Sequence, residues 1–339
     1  MNRQNTYRLV FVFILLSQVI TAQTQHSFAD LRIMWQKYHG GYTSSIAINH
    51  NKSLIARTKF GGDKSQSLSI FDLIFGKKVF DFLLENSSSS AVEFSKNGSF
   101  FALSEGTILY VFRTETFKEV FRTRSYPRIE KNLENLPTTI QAIKFSNDEE
   151  KIVATYADYN VRSYNVRTGS LDKTFTLEAQ YLNAIDFSQD NRQIMVTSLD
   201  NSTFLIDFNS GKLIRKLRQA DGRNIAIHPD GKSVIFPYKT SILWIDLQTG
   251  RELATFLGHK SNVWEARFTP DGKTIVSSAY GDNIIFWDLV TGKILYQLKT
   301  NIFGHESFAL SQDSVSLALG VNDGLRLYQH PNQLPIFKR

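Results

Sequence analysis

The chain has 339 residues, of which 42% are hydrophobic and 13% aromatic, and it contains no cysteine. This composition supports a large core, and it excludes a disordered chain, a disulfide-stabilised fold and a cysteine nucleophile. The formal net charge of +7 is a mild surplus rather than the basic footprint of a nucleic-acid-binding protein, so we expect no nucleic acid among its partners.

Residues 1–22 are predicted to be a secretory signal peptide. Arg3 and Arg8 make the start basic, Leu9–Leu16 is an uninterrupted apolar run, and the small residue Ala22 closes the segment. The alternative is a membrane anchor, but the run is much shorter than the ~20 apolar residues that span a bilayer. We therefore expect cleavage near Ala22, no membrane span afterwards, and a secreted or periplasmic protein of the bacterial cell envelope.

The mature chain opens with an isolated strand-like run, Leu31–Tyr38, followed by His39 and two glycines. A similar run, Ala254–Leu257, precedes Gly258 and His259 and leads into the clearest repeat of the chain. The comparison predicts that Leu31–Tyr38 is the fourth strand of a four-stranded unit whose other strands lie elsewhere in the sequence.

Two sequence marks recur along the chain with a period near forty residues, which predicts an array of similar units. The first mark is an apolar residue followed by a turn sequence such as Ser-Gln-Asp or Pro-Asp-Gly. It occurs at Ile48, Phe94, Phe145, Phe187, Ile227, Phe268 and Leu310. The second mark is an aromatic or β-branched residue, followed in four units by Asp. It occurs at Phe71, Phe112, Tyr164, Ile206, Ile245, Trp287 and Tyr328.

The clearest unit spans residues 258–293 and contains four runs of strand length. These are Val263–Phe268, Thr274–Ser278, Ile284–Trp287 and Ile294–Leu298. Gly258-His259, the turn after Phe268 and the closing Trp287-Asp288 resemble the pattern of the WD-repeat β-propeller family. Residues 23–339 are therefore predicted to form an all-β, seven-bladed propeller of four-stranded antiparallel blades.

The last predicted blade is one strand short. Leu325–Gln329 is its third strand, after which Pro331 breaks the pattern. We expect Leu31–Tyr38 to complete this blade, because ring closure removes open sheet edges. The alternative is that Gln333–Phe337 completes it and the N-terminal strand packs alongside.

Two insertions, Lys59–Ser67 and Arg122–Thr139, lengthen the first unit and the approach to the third. The family resemblance implies that both lie on one face of the ring, where such propellers bind partners. Loops of that length are often functional, so Arg124 and Tyr126 are candidate binding residues. The positive charge of the second insertion favours an acidic protein surface or a polyanionic glycan.

The residues His259, Ser278, Asp282 and Trp287 resemble the hydrogen-bonded tetrad of the WD-repeat family. One detail differs, because the family's aspartate lies six residues before the tryptophan, where this chain has Gly281. The resemblance implies a structural role, since the set satisfies a buried indole N–H, rather than a catalytic His–Ser–Asp set.

The family resemblance implies that the residue four places before each first mark lies near the mouth of the central channel. These residues are Ser44, Ser90, Gln141, Asn183, Arg223, Trp264 and Glu306, with Tyr42 and Tyr181 two places further back. Aromatic residues and arginine are the usual anchors of binding surfaces. The predicted binding residues are thus Trp264, Arg223, Tyr42, Tyr181, Asn183, Gln141 and Glu306.

No motif for catalysis is evident: the chain has no Gly-x-Ser-x-Gly elbow, no phosphate-binding loop and no histidines at metal-ligand spacing. We therefore expect no enzyme activity, no cofactor and no metal, but a monomeric scaffold that recognises a protein or a glycan. The alternative is a propeller-fold enzyme, a metal-dependent hydrolase or quinone-dependent dehydrogenase, with its site at the channel mouth.

Overall fold

The computed structural model describes residues 31–38, 42–49, 51–60, 67–84, 91–124, 139–179, 181–218, 224–300, 307–321 and 324–329. The regular elements in these ranges are 28 β-strands, arranged as seven four-stranded antiparallel sheets. The sheets are the blades of a ring, which confirms the predicted seven-bladed propeller. Within the same ranges, no helix is long and apolar enough to cross a membrane.

The strands follow one another through the ring in chain order. Blade 1 contains β2 (Tyr42–Asn49), β3 (Leu54–Phe60), β4 (Ser67–Asp72) and β5 (Lys78–Leu83). Blade 2 contains β6 (Val92–Phe94), β7 (Phe100–Glu105), β8 (Ile108–Arg113) and β9 (Glu119–Arg124). Blade 3 contains β10 (Ile140–Phe145), β11 (Lys151–Tyr156), β12 (Asn160–Asn165) and β13 (Leu171–Thr176). Blade 4 contains β14 (Leu182–Phe187), β15 (Gln193–Ser198), β16 (Ser202–Asp207) and β17 (Leu213–Arg218).

The remaining blades repeat the same order. Blade 5 contains β18 (Ala226–Ile227), β19 (Ser233–Tyr238), β20 (Ser241–Asp246) and β21 (Glu252–Leu257). Blade 6 contains β22 (Val263–Phe268), β23 (Thr274–Ala279), β24 (Ile284–Asp288) and β25 (Ile294–Leu298). Blade 7 contains β26 (Phe308–Leu310), β27 (Ser316–Val321) and β28 (Gly324–Gln329), completed by β1 (Arg32–Tyr38).

The predicted closing strand is confirmed, because β1 pairs antiparallel with β28 and lies at the outer edge of blade 7. Trp35 extends this strand's contacts into blade 1, where its indole N–H donates to the carbonyl oxygen of Leu73 at 3.0 Å. The alternative segment, Gln333–Phe337, lies outside the described residues. Residues 1–30 do too, so the signal peptide and the boundary at residue 22 stay predictions.

The core lies between neighbouring blades. Every residue of the second strands β7 and β23 is buried, because adjacent blades cover both faces of each sheet. The outermost strands β9 and β13 alternate between exposed and partly buried residues, because their outer edge meets solvent. Phe80 of blade 1, for example, packs against a buried cluster that contains Phe101 and Phe112 of blade 2. Burial is thus highest in these second strands and lowest in the outermost strands.

Several blades also contact the one before them through the turn between their third and fourth strands. A Cβ at Gly169 in blade 3 would lie 2.6 Å from the ring of Phe121 in blade 2, and one at Gly211 would lie 2.6 Å from the ring of Phe175. A Cβ at Gly76 in blade 1 would likewise lie 2.8 Å from the ring of Trp35 in the closing strand. These turns therefore form sockets for a side chain on the preceding blade's outer strand.

We expect Gly169→Ala to cost about 2–4 kcal/mol of unfolding free energy. Part of the cost is conformational, since Gly169 has φ = 71°, and the rest comes from the contact with Phe121. Gly292→Ala is the matched control, because Gly292 has φ = 68° and nothing within 4 Å of the added Cβ. The control should lose only about 1 kcal/mol. Urea unfolding curves compare the two, and equal losses would contradict the socket.

Candidate functional site

A β-bulge occurs in several first strands at the position four residues before the turn mark. Ser44, Gln141 and Trp264 are skipped in the pairing with the second strand, and in blade 4 the irregularity spans Asn183 and Ala184. A bulge leaves a residue unpaired and redirects its side chain. All four of the predicted ring residues that the structure describes line the central channel. The bulge explains how the sequence pattern becomes a recessed polar rim.

Buried hydroxyl groups on the second strands hold these bulges. Thr155 Oγ1 accepts the backbone N–H of Ala142 at 3.0 Å, and Thr197 Oγ1 accepts that of Ala184 at 3.1 Å. Ser104 Oγ accepts the N–H of the corresponding residue in blade 2, Ala91, at 3.0 Å. A bulged strand leaves backbone groups without a ladder partner, and a buried N–H without an acceptor is costly. The hydroxyls therefore fix the rim in one conformation.

The bulges lie toward one end of the blades, which we call the mouth face. It carries the starts of the first strands, the turns between second and third strands, and the ends of the fourth strands. In blade 1, for instance, Tyr42 pairs with Phe60 and Ser67 pairs with Leu83 at this end. The opposite end, the turn face, carries the turns that follow the first marks.

Four exposed tyrosines lie on the mouth face. Tyr42 and Tyr181, both predicted binding residues, are 62% and 41% exposed, and Tyr38 and Tyr280 are 66% and 54% exposed. Tyr181 has φ = 48° in the turn that precedes β14, which sets the direction of that first strand. Trp264 is partly buried at the rim of the channel. Large aromatic side chains are thus presented to solvent on the mouth face.

A ring of charged side chains lies deeper in the channel, which has a volume of about 650 Å³. These residues directly precede the turn marks of blades 2, 3, 4 and 6, and they are Glu93, Lys144, Asp186 and Arg267. Lys144 Nζ lies 3.0 Å from a carboxylate oxygen of Glu93 and 3.6 Å from one of Asp186. Arg267 Nε donates to Glu265 Oε1 at 2.5 Å. The ring is therefore internally paired.

The carboxylates of this network also bind backbone groups of the next blade. Asp186 accepts the N–H of Ile227 at 2.8 Å, and Glu265 accepts that of Phe308 at 3.2 Å. Burial raises the pKa of the Glu93 carboxyl, although Lys144 acts in the opposite direction. Burial would lower the pKa of Lys144, but Glu93 and Asp186 outweigh it and raise that pKa. The network thus connects neighbouring blades through the channel.

The structure adds carboxylates to the predicted ring of residues at the channel mouth, in which Glu306 is the one acidic residue. Glu93, Asp186 and Glu265 line the channel below the rim, each engaged by a cation, a backbone N–H or both. In the ranges that the structure describes, no three His, Asp or Glu side chains are grouped so that they could hold a metal ion. The channel chemistry is ion pairing between blades.

The hydrogen-bond set of blade 6 contains Ser277, not the predicted Ser278. His259 Nε2 and Trp287 Nε1 lie 2.7 Å and 2.8 Å from Ser277 Oγ, and His259 Nδ1 lies 3.1 Å from Asp282. Ser277 pairs with Ile285 and Ile275 with Trp287, so the side chains of residues 277 and 287 share one face of the sheet. Ser278 points to the other face, at the level where Thr155 and Thr197 bind the bulges of their blades.

The shorter spacing of Asp282 does not prevent the set from forming. Asp282 closes its turn by donating its N–H to Ala279 at 3.2 Å, and its carboxylate accepts the N–H of Lys260 at 2.8 Å. Burial lowers the pKa of His259, although Asp282 acts in the opposite direction. A neutral imidazole therefore connects the carboxylate to the serine hydroxyl, and the set lies inside the blade, as a structural element does.

The remaining predicted residues fall into two groups. Arg124 is exposed at the end of β9, opposite Ile108, and so lies on the mouth face. Tyr126, Arg223 and Glu306 lie outside the described residues, as does most of the insertion between β9 and β10. Sequence reasoning missed Tyr38, Tyr280 and the charged ring. A charged residue directly before the first mark in four units is the sequence pattern that could have predicted this ring.

Comparison with known proteins agrees with this architecture. Residues 250–288, which hold the whole blade 6 set, match the family model described as WD domain, G-beta repeat. The match and the relatives below support a WD-repeat β-propeller.

Three relatives illustrate the similarity. U3 small nucleolar RNA-associated protein 21 of Saccharomyces cerevisiae is 30% identical over 136 residues, which are 39% of this chain and 14% of that protein. An uncharacterized WD repeat-containing protein of Synechocystis is 25% identical over 142 residues, 41% of each chain. Periodic tryptophan protein 2 of Arabidopsis thaliana is 25% identical over 192 residues, 55% of this chain and 21% of that protein. The chain matches less than half the length of each.

Proposed function

We propose that this protein is a non-catalytic scaffold that binds another protein through the mouth face. The observation that carries the proposal is the set of exposed tyrosines around a rigid, polar channel rim. Exposed aromatic groups are expensive to keep in water, and Tyr and Trp are enriched at the centres of protein interfaces. The bulge hydroxyls hold the rim in place before binding, which lowers the entropic cost of association.

The enzyme alternative has less support. A propeller enzyme needs several carboxylates or histidines that converge on a bound metal or substrate. The carboxylates of this channel converge on Lys144, on Arg267 and on backbone N–H groups instead. The similarity to WD-repeat proteins also favours a scaffold, although a shared fold alone does not determine function.

The proposed location is the bacterial cell envelope or periplasm, after removal of residues 1–22. This part of the proposal rests on the basic start, the short apolar run and Ala22. Mass spectrometry of the protein isolated from its source cells tests it. A mature N-terminus near residue 23 is the expected result, and a protein that retains residues 1–22 would refute export by this route.

A triple variant of the mouth face tests the binding proposal. We expect Tyr42→Ala, Tyr181→Ala and Trp264→Ala together to weaken the complex about 10- to 100-fold, because truncated aromatic anchors lose most of their binding free energy. In-cell crosslinking identifies the partner, and calorimetry then measures the Kd. If crosslinking identifies a glycan and not a protein, the proposed class of partner is wrong.

The turn face supplies the matched control for this experiment. Phe75 and Val290 are 73% and 87% exposed at turns between third and fourth strands. The variant Phe75→Ala with Val290→Ala should bind as tightly as the unmodified protein. If this control loses affinity and the triple variant does not, the turn face is the binding face and the proposal fails.

A further inference from the structure

We infer that the partner presents an acidic segment with an apolar side chain at its centre, and that it docks on one sector of the mouth face. This inference rests on the proposed function, since it specifies the partner of the same face. The docking sector belongs to blades 5 and 6. It consists of Lys239, Leu257, Lys260, Trp264, Tyr280 and Lys299.

The docking sector combines apolar surface with positive charge. Leu257 is 71% exposed and Tyr280 is 54% exposed. The side chains of Lys239, Lys260 and Lys299 are exposed on the same face, at the turn after β19, the approach to β22 and the end of β25. Lysines around an apolar centre match a segment in which carboxylates flank an apolar residue.

Hydrogen bonds between its loops make the sector rigid. Val263 N–H donates to the carbonyl oxygen of Lys239 at 2.7 Å, and Tyr280 N–H donates to that of Asn262 at 3.2 Å. Asp282 accepts the N–H of Lys260, while its own carbonyl accepts the hydroxyl of Thr300 at 3.4 Å. Four separate chain segments are thus held together, so the partner meets a surface that is ordered before binding.

The carboxylate within this sector does not cancel its attraction for an acidic partner. Burial would raise the pKa of Asp282, but the N–H groups of Lys260 and Asn283 and the His259 ring outweigh it and lower that pKa. The charge of Asp282 is therefore directed into the blade by its hydrogen bonds to His259 and Lys260. The three lysines are exposed, and the ammonium group of Lys239 lies 5.4 Å from the centre of the Tyr238 ring.

The turn face has a different charge pattern, which gives the inference its direction. Five exposed aspartates occupy the same turn position in five blades. They are Asp148, Asp190, Asp230, Asp271 and Asp313. The turn face presents both signs of charge, since exposed lysines such as Lys52, Lys232 and Lys273 lie in the same turns as these carboxylates. The docking sector presents three exposed lysines, so an acidic segment meets less repulsion between like charges there.

Site-specific photo-crosslinking in the source cells tests the inference. The photoreactive amino acid p-benzoylphenylalanine replaces Asn262 within the sector, Tyr42 elsewhere on the mouth face, or Val290 on the turn face. We expect the crosslink at position 262, to a peptide rich in Asp and Glu around an apolar residue. The crosslinked peptide is then synthesised as the probe for binding measurements.

Charge reversal supplies the second readout. Lys239→Glu with Lys260→Glu and Lys299→Glu should weaken binding of the synthetic peptide about 100-fold. The control reverses three exposed turn-face lysines, Lys52→Glu with Lys232→Glu and Lys273→Glu, and should change binding less than about twofold. Binding by the unmodified protein should also weaken about tenfold between about 0.1 M and 1 M salt, where the screening length falls from about 10 Å to about 3 Å.

The outcomes separate this inference from the proposed function. A crosslink at position 42 without one at 262 overturns the docking sector but leaves the mouth face as the binding face. Crosslinks at position 290 alone overturn both. A crosslink at 262 to a peptide without acidic residues, or binding that neither charge reversal nor salt weakens, overturns the acidic partner. Absence of any crosslink at 262 overturns the sector.

Discussion

A chain that begins at residue 39, and so lacks β1, should lose about 5 kcal/mol or more of its unfolding free energy. The deletion removes the strand that pairs with β28 along its whole length. It also uncovers Leu325 and Leu327, which are fully buried in a cluster that Met34 and Trp35 help to cover. Because a domain of this kind is stable by only about 5–15 kcal/mol, we expect aggregation or partial unfolding at ambient temperature.

The control for this deletion begins at residue 31 and retains β1. Measured by circular dichroism and urea unfolding, this control should be as stable as the full chain. The chain that begins at residue 39 should be much less stable than both. Trp35→Ala should give an intermediate loss of about 2–4 kcal/mol, since it removes the indole from Leu73 and from the socket at Gly76. Addition of a synthetic peptide with the sequence of residues 31–38 should restore part of the lost stability. Equal stability of both truncated chains would show that β1 does not close the ring.

Ser277→Ala should destabilise the protein by about 2–4 kcal/mol, whereas Ser278→Ala should cost about 1 kcal/mol. Removal of the Ser277 hydroxyl leaves the Trp287 indole N–H and the Nε2 atom of His259 without a partner in a buried site. Each unsatisfied buried polar group costs about 1–3 kcal/mol. The two serines are adjacent and equally buried, so each variant controls for the other's loss of volume.

Unfolding curves at neutral pH measure both losses, and tryptophan fluorescence reports the environment of Trp287 directly. Ser277→Thr is a further variant that retains a hydroxyl, so it should recover part of the stability that Ser277→Ala loses. If Ser278→Ala proves the more damaging variant, the hydrogen-bond set has been assigned to the wrong serine.

The sequence predicted the architecture because the turn chemistry of a propeller is local. Pro270, Asp271 and Gly272 specify a reversal wherever they follow a strand. The same three residues recur in blade 5, and other turn-forming sequences follow the first mark in the remaining units. The closing role of Leu31–Tyr38 was predictable for a related reason. A single unpaired strand near the start of the chain matched a last blade that had only three strands of its own.

The side-chain detail was harder to predict because it depends on register. Whether Ser277 or Ser278 reaches Trp287 is decided by which residues pair across β23 and β24, and a shift of one residue exchanges the two faces. The bulge at Trp264 has a similar effect on the first strand. Side chains before and after the bulge no longer follow one regular alternation between the two faces of the sheet. Tyr280 lies in a turn that is bonded to the approach to β22 through Asn262, and the local sequence does not encode this contact.

The position of β1 in blade 7 also constrains how the chain can be made and folded. Gln36 accepts a hydrogen bond from Arg326 at a sequence separation of 290. During synthesis, β1 therefore has no partner strand until almost the whole chain has emerged. Contacts between distant residues slow folding, and an unpaired strand is open to pairing with other chains in the meantime. We therefore expect ring closure to come late in folding.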